Sequence, residues 1–163
     1  MAKGPFRTII GLISAAPCLR PSCIPKSRPR GKKAAGLKYE RDLAKGLPDG
    51  THGQWFAFVD QKGSGYCQTD IIVDTGLGLA ILESKYTWTM VGHQQIARLY
   101  KPVAEMIYRK RVFGIVVCKV LTRDTPRDWV CRDLRSAIGR ACAGEPTVLH
   151  WVGAGLEPLQ LPA

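Results

Sequence analysis

The sequence predicts an α/β domain, a mixed central sheet flanked by helices, preceded by an extended basic N-terminal arm. Three observations predict it. Apolar patterning changes period along the chain in the order helix, three strands, helix, strand, helix, strand. Val112 to Leu121 is a nearly continuous apolar run, the pattern of a strand buried on both faces. Eight of the 24 Lys and Arg residues precede Gly36 with no acid among them, while the later charges nearly balance. The 163 residues suit a single domain, and the formal charge of +11 therefore sits mostly in one arm. The division expected is arm 1–34, domain 35–155 and tail 156–163.

In the arm, Pro17, Pro21, Pro25 and Pro29 recur every four residues among basic side chains, which favours extended chain over helix. Such an arm suits a polyanion, most simply nucleic acid, or else is a solubilising tail. Residues 8–17 also have the composition of a signal-peptide core or an organelle transit opening. The six cysteines form no Cys-x-x-Cys pair, which fits reduced thiols in a cytoplasmic protein. No stretch is long enough to cross a bilayer. Localisation is therefore read as cytoplasmic, in host cytoplasm if the chain is phage-encoded, with organelle targeting as the alternative.

From Ala34 to Leu47, Leu37, Glu40, Leu43, Ala44 and Leu47 fall on one helical face, so Glu40 lies within the apolar stripe. Pro48-Asp49-Gly50 ends that helix. Trp55–Val59 reads as a strand, followed by a Gly63-Ser64-Gly65 turn. Ile71–Val73 and Leu79–Leu82 flank Asp74-Thr75-Gly76-Leu77-Gly78, a hairpin turn by composition. An amphipathic helix runs from Met90 to Arg111, kinked or restarted at Pro102. Thr125-Pro126, with Asp128 three residues after the Thr, predicts a helix start that continues to Cys142. Thr147–Val152 makes the last strand.

Chemistry concentrates between Thr69 and Lys85. Strand alternation places Glu83 and Lys85 on one face with Ser84 pointing away, and hairpin pairing brings Asp70 beside Glu83. Two carboxylates and a lysine ending apolar strands are costly to bury unless something pairs with them, and a divalent cation does so. The plainer alternative is a solvated Glu/Lys pair.

Asp70, twelve residues, then Glu83-Ser84-Lys85 resembles the core motif of the PD-(D/E)XK nuclease superfamily, although Gln68-Thr69 stands where the proline is expected. Gly36-Leu37-Lys38-Tyr39-Glu40-Arg41-Asp42-Leu43 is similar to the first helix of archaeal-type and phage Holliday junction resolvases, and Gly63-Ser64-Gly65 to their small-residue loop. The resemblance covers about Leu37 to Leu121. It implies a restriction-endonuclease-like αβββαβ core and a metal-dependent endodeoxyribonuclease acting in DNA recombination. Catalytic residues would be Glu40, Asp70, Glu83 and Lys85. Glu40, Asp70, Glu83 and the Ser84 carbonyl would ligate Mg2+, with Mn2+ able to substitute. Partners implied are branched DNA and a second copy of the chain, without a membrane.

Nucleic-acid contacts are expected from Arg28, Arg30, Lys32, Lys33, Lys38, Ser64, Gln95 and Arg98. Some exonucleases of the superfamily carry Gln-x-x-x-Tyr after the motif; here Tyr100 follows Gln95 by five, so that pattern is not met. Tyr86 and Trp88 are candidates to stack on a splayed base or to pack in the core or a dimer contact. His52, His93 and His150 have no ligand spacing with each other, and His93 alone is singled out. Alternatives to junction cleavage are a nuclease of this type acting on linear or single-stranded nucleic acid, and a non-catalytic binding or assembly protein.

Overall fold

Seven strands form one sheet in the order β1-β2-β3-β4-β5-β7-β6 in the computed structural model, which describes residues 8–26 and 28–153. The strands are β1 Ile9–Leu12, β2 Thr51–Asp60, β3 Gly63–Asp74, β4 Leu79–Thr87, β5 Val112–Val120, β6 Val130–Cys131 and β7 Val148–His150. Pairing is antiparallel from β1 to β4 and parallel from β4 through β5 and β7 to β6. The α/β class and the mixed, helix-flanked sheet expected from patterning are therefore present. Lys3, Arg7 and the tail 156–163 lie outside the described residues.

Helix α1, Lys32–Lys45, buries Tyr39 and Leu43 against one sheet face together with α4, Leu134–Cys142. Ile71, Val73, Ala80, Leu82, Phe113, Ile115 and Val117 supply that face. The opposite face takes Ile72, Leu79, Ile81, Val112 and Val116 under a helical segment running from Met90 to Tyr108. Alternation within each strand thus feeds two separate cores, which is why β5 is apolar almost throughout. The Asp74–Gly78 turn closes as its composition predicts. Thr75 donates its amide (3.0 Å) and hydroxyl (2.8 Å) to the Gly78 carbonyl, and Gly76 takes φ 76°.

Four expectations change. The arm is not separate from the domain: Ile9–Leu12 is an edge strand on β2, and Cys18 forms a backbone bridge with Trp55. Helix α1 begins at Lys32 rather than Ala34. Gly63-Ser64-Gly65 opens β3 instead of forming a turn; the turn is Gln61-Lys62, held by the Asp60 carboxylate accepting from the Lys62 amide at 2.8 Å. Finally, Thr125-Pro126 starts no α-helix. A short 3-10 turn, Arg127–Trp129, leads into β6, because Val130 and Cys131 find ladder partners in Val148 and Leu149. The helix starts afterwards, where Asp133 accepts from the Ser136 amide at 2.8 Å as its N-cap.

The long helix predicted over Met90–Arg111 is three pieces: α2 Met90–Gln95, a π-helical turn Ile96–Tyr100, and α3 Lys101–Tyr108. Pro102 sits in the first turn of α3, where its missing N–H costs nothing. Helix α3 therefore starts at Lys101 with Pro102 in its first turn, and the π-helical irregularity lies just before it.

Candidate active site at the fork of two strands

β2 and β3 pair from Thr51–Ile72 to Asp60–Gly63 except at the Gly53/Asp70 rung, and β4 pairs with β5 from Leu79 to Thr87. β3 and β4, however, pair only through Ile71–Asp74 against Leu79–Leu82. The strands part at the next rung, where Asp70 would face Glu83. The parting leaves the Ser84 amide to the Asp70 carboxylate, which accepts from it at 2.7 Å and from the Ser84 hydroxyl at 2.8 Å. Ser84 does not point away from the site, as alternation predicted. Its visible contribution is to hold Asp70 as a double donor.

Glu83 and Lys85 continue the parity of Leu79 and Ile81 and so lie on the face covered by α2. Gly92 on α2 allows this closeness: a Cβ there would stand 3.1 Å from Val116 Cγ2 and 3.5 Å from Lys85 Cγ. Lys85 Nζ donates to Glu83 Oε1. Glu83 is only 2% exposed, and its Oε2 is buried without a hydrogen-bond partner.

Glu40 comes from α1, half-buried, and completes the group electrostatically. Burial, then the Asp70 charge, push its carboxyl up to about 7 against the pull of Lys85 and Arg41. Glu83 is likewise held at about 7 by burial and by Asp70, with Lys85 opposing and Glu40 adding. Burial also raises Asp70, although the Ser84 donors and Lys85 work the other way. Three carboxyls thus share a poorly solvated site, and the Asp70 charge keeps protons on Glu40 and Glu83. A hydrogen bond with the Glu83 side chain, by contrast, works to lower Asp70.

Tyr100 and Gln95 border the same site, and sequence reasoning separated them. An α-helix turns 100° per residue, so positions five apart diverge. The π-helical turn closes i to i+5 instead. Gln95 Nε2 accordingly donates to the Tyr100 hydroxyl at 3.4 Å. Burial raises the Tyr100 phenol, and the charges of Glu83 and Asp70 raise it further, which locates it beside them. The five-residue spacing is the only sequence signal, and it is read correctly only once the helix type is known. Gln95 Oε1 is a second buried oxygen without a partner.

The remaining expected residues scatter. Arg28 and Arg30 lie in irregular chain before α1, and Lys32 and Lys33 are exposed in its first turn. Arg28 is exposed there as well. Lys38 is bonded to Asp42 at 2.6 Å. Arg98 is exposed on the π-helical turn, whereas Gln95 faces inward. Ser64 pairs with Val59 at the far end of the hairpin. Six residues of strand put it roughly 20 Å from Asp70, so it does not join the site. His93 is structural: it accepts from Trp88 Nε1 at 3.2 Å and packs on Trp129, and burial lowers it to about 4. Trp88 is core.

Among the described residues, no group of three or more His, Cys, Asp or Glu stands gathered at ligating distance. The donor chemistry nevertheless suits a hard divalent cation. Asp70 and Glu83 offer carboxylate oxygens, Glu83 Oε2 and Gln95 Oε1 lack donors, and Lys85, with Arg41 at Glu40, offsets the negative charge. Glu40 is coupled to this group as a charge. No helix among the described residues is long and apolar enough to cross a membrane.

Comparison with protein-family models, with curated proteins and with solved structures finds no match to this chain.

Proposed function

We propose that this chain is a Mg2+-dependent, structure-selective DNA endonuclease of the PD-(D/E)XK type, cutting branched DNA such as four-way junctions. The observation that carries the reading is the fork itself: Asp70, Glu83 and Lys85 meet where β3 and β4 part, with a buried Glu83 oxygen left unpartnered. The order of α1, three antiparallel strands, a helical segment and the parallel β5 agrees with the αβββαβ core that the resemblance implies.

Asp70 and Glu83 would hold the cation, and Glu40 would reach it through water; Mn2+ would substitute. When bound, the cation supplies Lewis-acid stabilisation of the charge that develops on the phosphate. The chain's own contribution is placement. The Ser84 amide and hydroxyl fix Asp70, and the sheet fixes Glu83. Lys85, ion-paired to Glu83, is placed to orient the attacking water or to meet a phosphate oxygen. Arg28 and Arg30 before α1, with Lys32 and Lys33 in its first turn, would supply sequence-independent phosphate attraction. Two symmetric nicks in a four-way junction call for two sites related by a two-fold axis, hence a homodimer.

The test is nicking of a synthetic four-way junction, with a matched linear duplex and single strands as controls, in Mg2+ and in EDTA. Asp70→Asn should abolish cleavage while leaving DNA affinity within about threefold. Cutting by that variant at the parental rate, or absence of metal-dependent cleavage on every substrate, would overturn the proposal. Cleavage of single strands in preference to junctions would select the second reading, a nuclease of the same type for unpaired nucleic acid. The exposed Tyr86 ring beside Lys119 favours that reading.

A further inference from the structure

A cavity of about 380 Å3 opens on the α1 side of the sheet, beyond the end of the fork. Its walls include Lys38 and Lys45 on α1, Tyr86 on β4, Lys119 on β5, and the buried pair Tyr39 and Trp151. Tyr86 follows Lys85 directly, so the two side chains leave β4 on opposite faces. It differs from its neighbour Trp88, which is 6% exposed, in leaving 39% of its surface to solvent.

The ring is held in place. Tyr39 meets Tyr86 edge-on at 6.1 Å and fixes its own hydroxyl on the Trp151 carbonyl at 3.0 Å. Lys119 Nζ lies 5.5 Å above the Tyr86 ring, the distance of a cation on a π face. Among the described lining residues Asp42 contributes the one carboxylate, bonded to Lys38 at 2.6 Å and 4.0 Å from Lys45. The Lys38 hydrogen bond pulls its carboxyl below the usual range, so it stays ionised. Three lysines against one aspartate leave a surplus of positive charge around a fixed, accessible aromatic face.

We propose that this cavity is a subsite for one unpaired nucleotide, its base stacked on Tyr86 and its phosphate met by Lys119, Lys38 and Lys45. The proposal deepens the nucleic-acid reading given above and rests on it. A flat π face beside cations matches the two halves of a nucleotide, a stackable base and an anionic phosphate. Inorganic phosphate would use only the lysines, and an acidic peptide has no base for the ring. A paired base is stacked inside its duplex and cannot reach Tyr86, so the occupant is single-stranded. Stacking exceeds the attraction of an exposed cation for the same ring, so the base displaces Lys119 from Tyr86 towards the phosphate. Because Lys85 and Tyr86 are consecutive, a strand seated here passes the β4 end of the proposed catalytic site.

The experiment measures binding of a fluorescein-labelled eight-nucleotide oligo-dT to the full chain in EDTA, by anisotropy. Tyr86→Ala should weaken binding roughly tenfold, the loss expected for one stacked base. Tyr86→Phe should stay within twofold, and Lys119→Gln should weaken binding and flatten its salt dependence. Tyr86→Leu keeps apolar bulk against Tyr39 without a π face and should behave as Tyr86→Ala, which guards against a folding defect in the smaller variant. A blunt duplex should bind independently of Tyr86. Oligo-dT affinity within twofold of the parent for both Tyr86→Leu and Tyr86→Ala would overturn the subsite. So would displacement of the oligonucleotide by a polyglutamate peptide at equal charge concentration. Asp70→Asn should keep the Tyr86-dependent binding. If Tyr86-dependent binding is found without cleavage by the parent, the nuclease reading falls and the subsite stands; cleavage without Tyr86 dependence gives the reverse.

Discussion

Glu83→Gln tests whether the fork stores charge for a cation. The substitution keeps the shape of a side chain that is 2% exposed and removes its charge. In the folded chain Glu83 titrates at about 7, against an ordinary value of 4.5, because burial and Asp70 oppose its ionised form more than Lys85 favours it. A raised folded-state value means that the native chain binds more protons than the unfolded chain between those two pH values. Stability therefore falls as pH rises through the window. At roughly 1.4 kcal/mol per pH unit of displacement, full ionisation of Glu83 costs the native state about 3 kcal/mol. Glu40 is coupled to the same charges, so discharging Glu83 also relieves Glu40 and the two costs do not add.

Urea denaturation at pH 5 and pH 8.5, each in EDTA and in Mg2+, reads this directly. At pH 8.5 in EDTA, Glu83→Gln should exceed the parent by about 3 kcal/mol, roughly 6–12 °C in thermal midpoint for a chain of this size. At pH 5 most of the difference should vanish, because the parent's Glu83 is then largely protonated. Mg2+ should raise the midpoint of the parent at pH 8.5 and leave the variant nearly unmoved. The variant should not cleave DNA under any of these conditions. A variant destabilised equally at both pH values, with Mg2+ acting alike on both proteins, would refute the reasoning. Glu83 would then be the ion-pair partner of Lys85 and nothing more.

Two further expectations follow from packing and charge. A Cβ at Gly114 would overlap Ile96 Cγ2 and stand 3.0 Å from its Cδ1, at the residue where the π-helical turn begins. Gly114→Ala should therefore cost about 1–3 kcal/mol, measured by chemical denaturation, and adding Ile96→Ala should cost less than the sum of the single changes. Replacing Arg28, Arg30, Lys32 and Lys33 with Gln should weaken DNA binding and reduce its log–log salt slope by about 0.9 for each phosphate no longer neutralised. Substitution is preferable to deleting residues 1–33, which would also remove β1 from the sheet edge. An unchanged salt slope would exclude these four side chains from the DNA interface.

By itself the sequence determined what local chemistry can determine. The apolar period marked β5 as a strand buried on both faces, Asp74–Gly78 as a turn, and Glu40 as an acid inside an apolar helical stripe. It also set Asp70, Glu83 and Lys85 on neighbouring strands, although Asp70 lies well inside β3, which starts at Gly63, and does not open it. Tertiary structure decided what depends on partners distant in the chain. Ile9–Leu12 is a strand because β2 offers it a ladder, and Val130–Cys131 because β7 does, which delays α4 until Asp133 can cap it. The parting of β3 from β4 at Asp70 turns Ser84 from an outward residue into the donor that fixes the carboxylate. One π-helical turn brings Gln95 and Tyr100 together across a spacing that an α-helix would separate. Periodicity reports which face of an element is apolar. Strand partners and helical register are set by hydrogen bonds and packing that no short window of sequence contains.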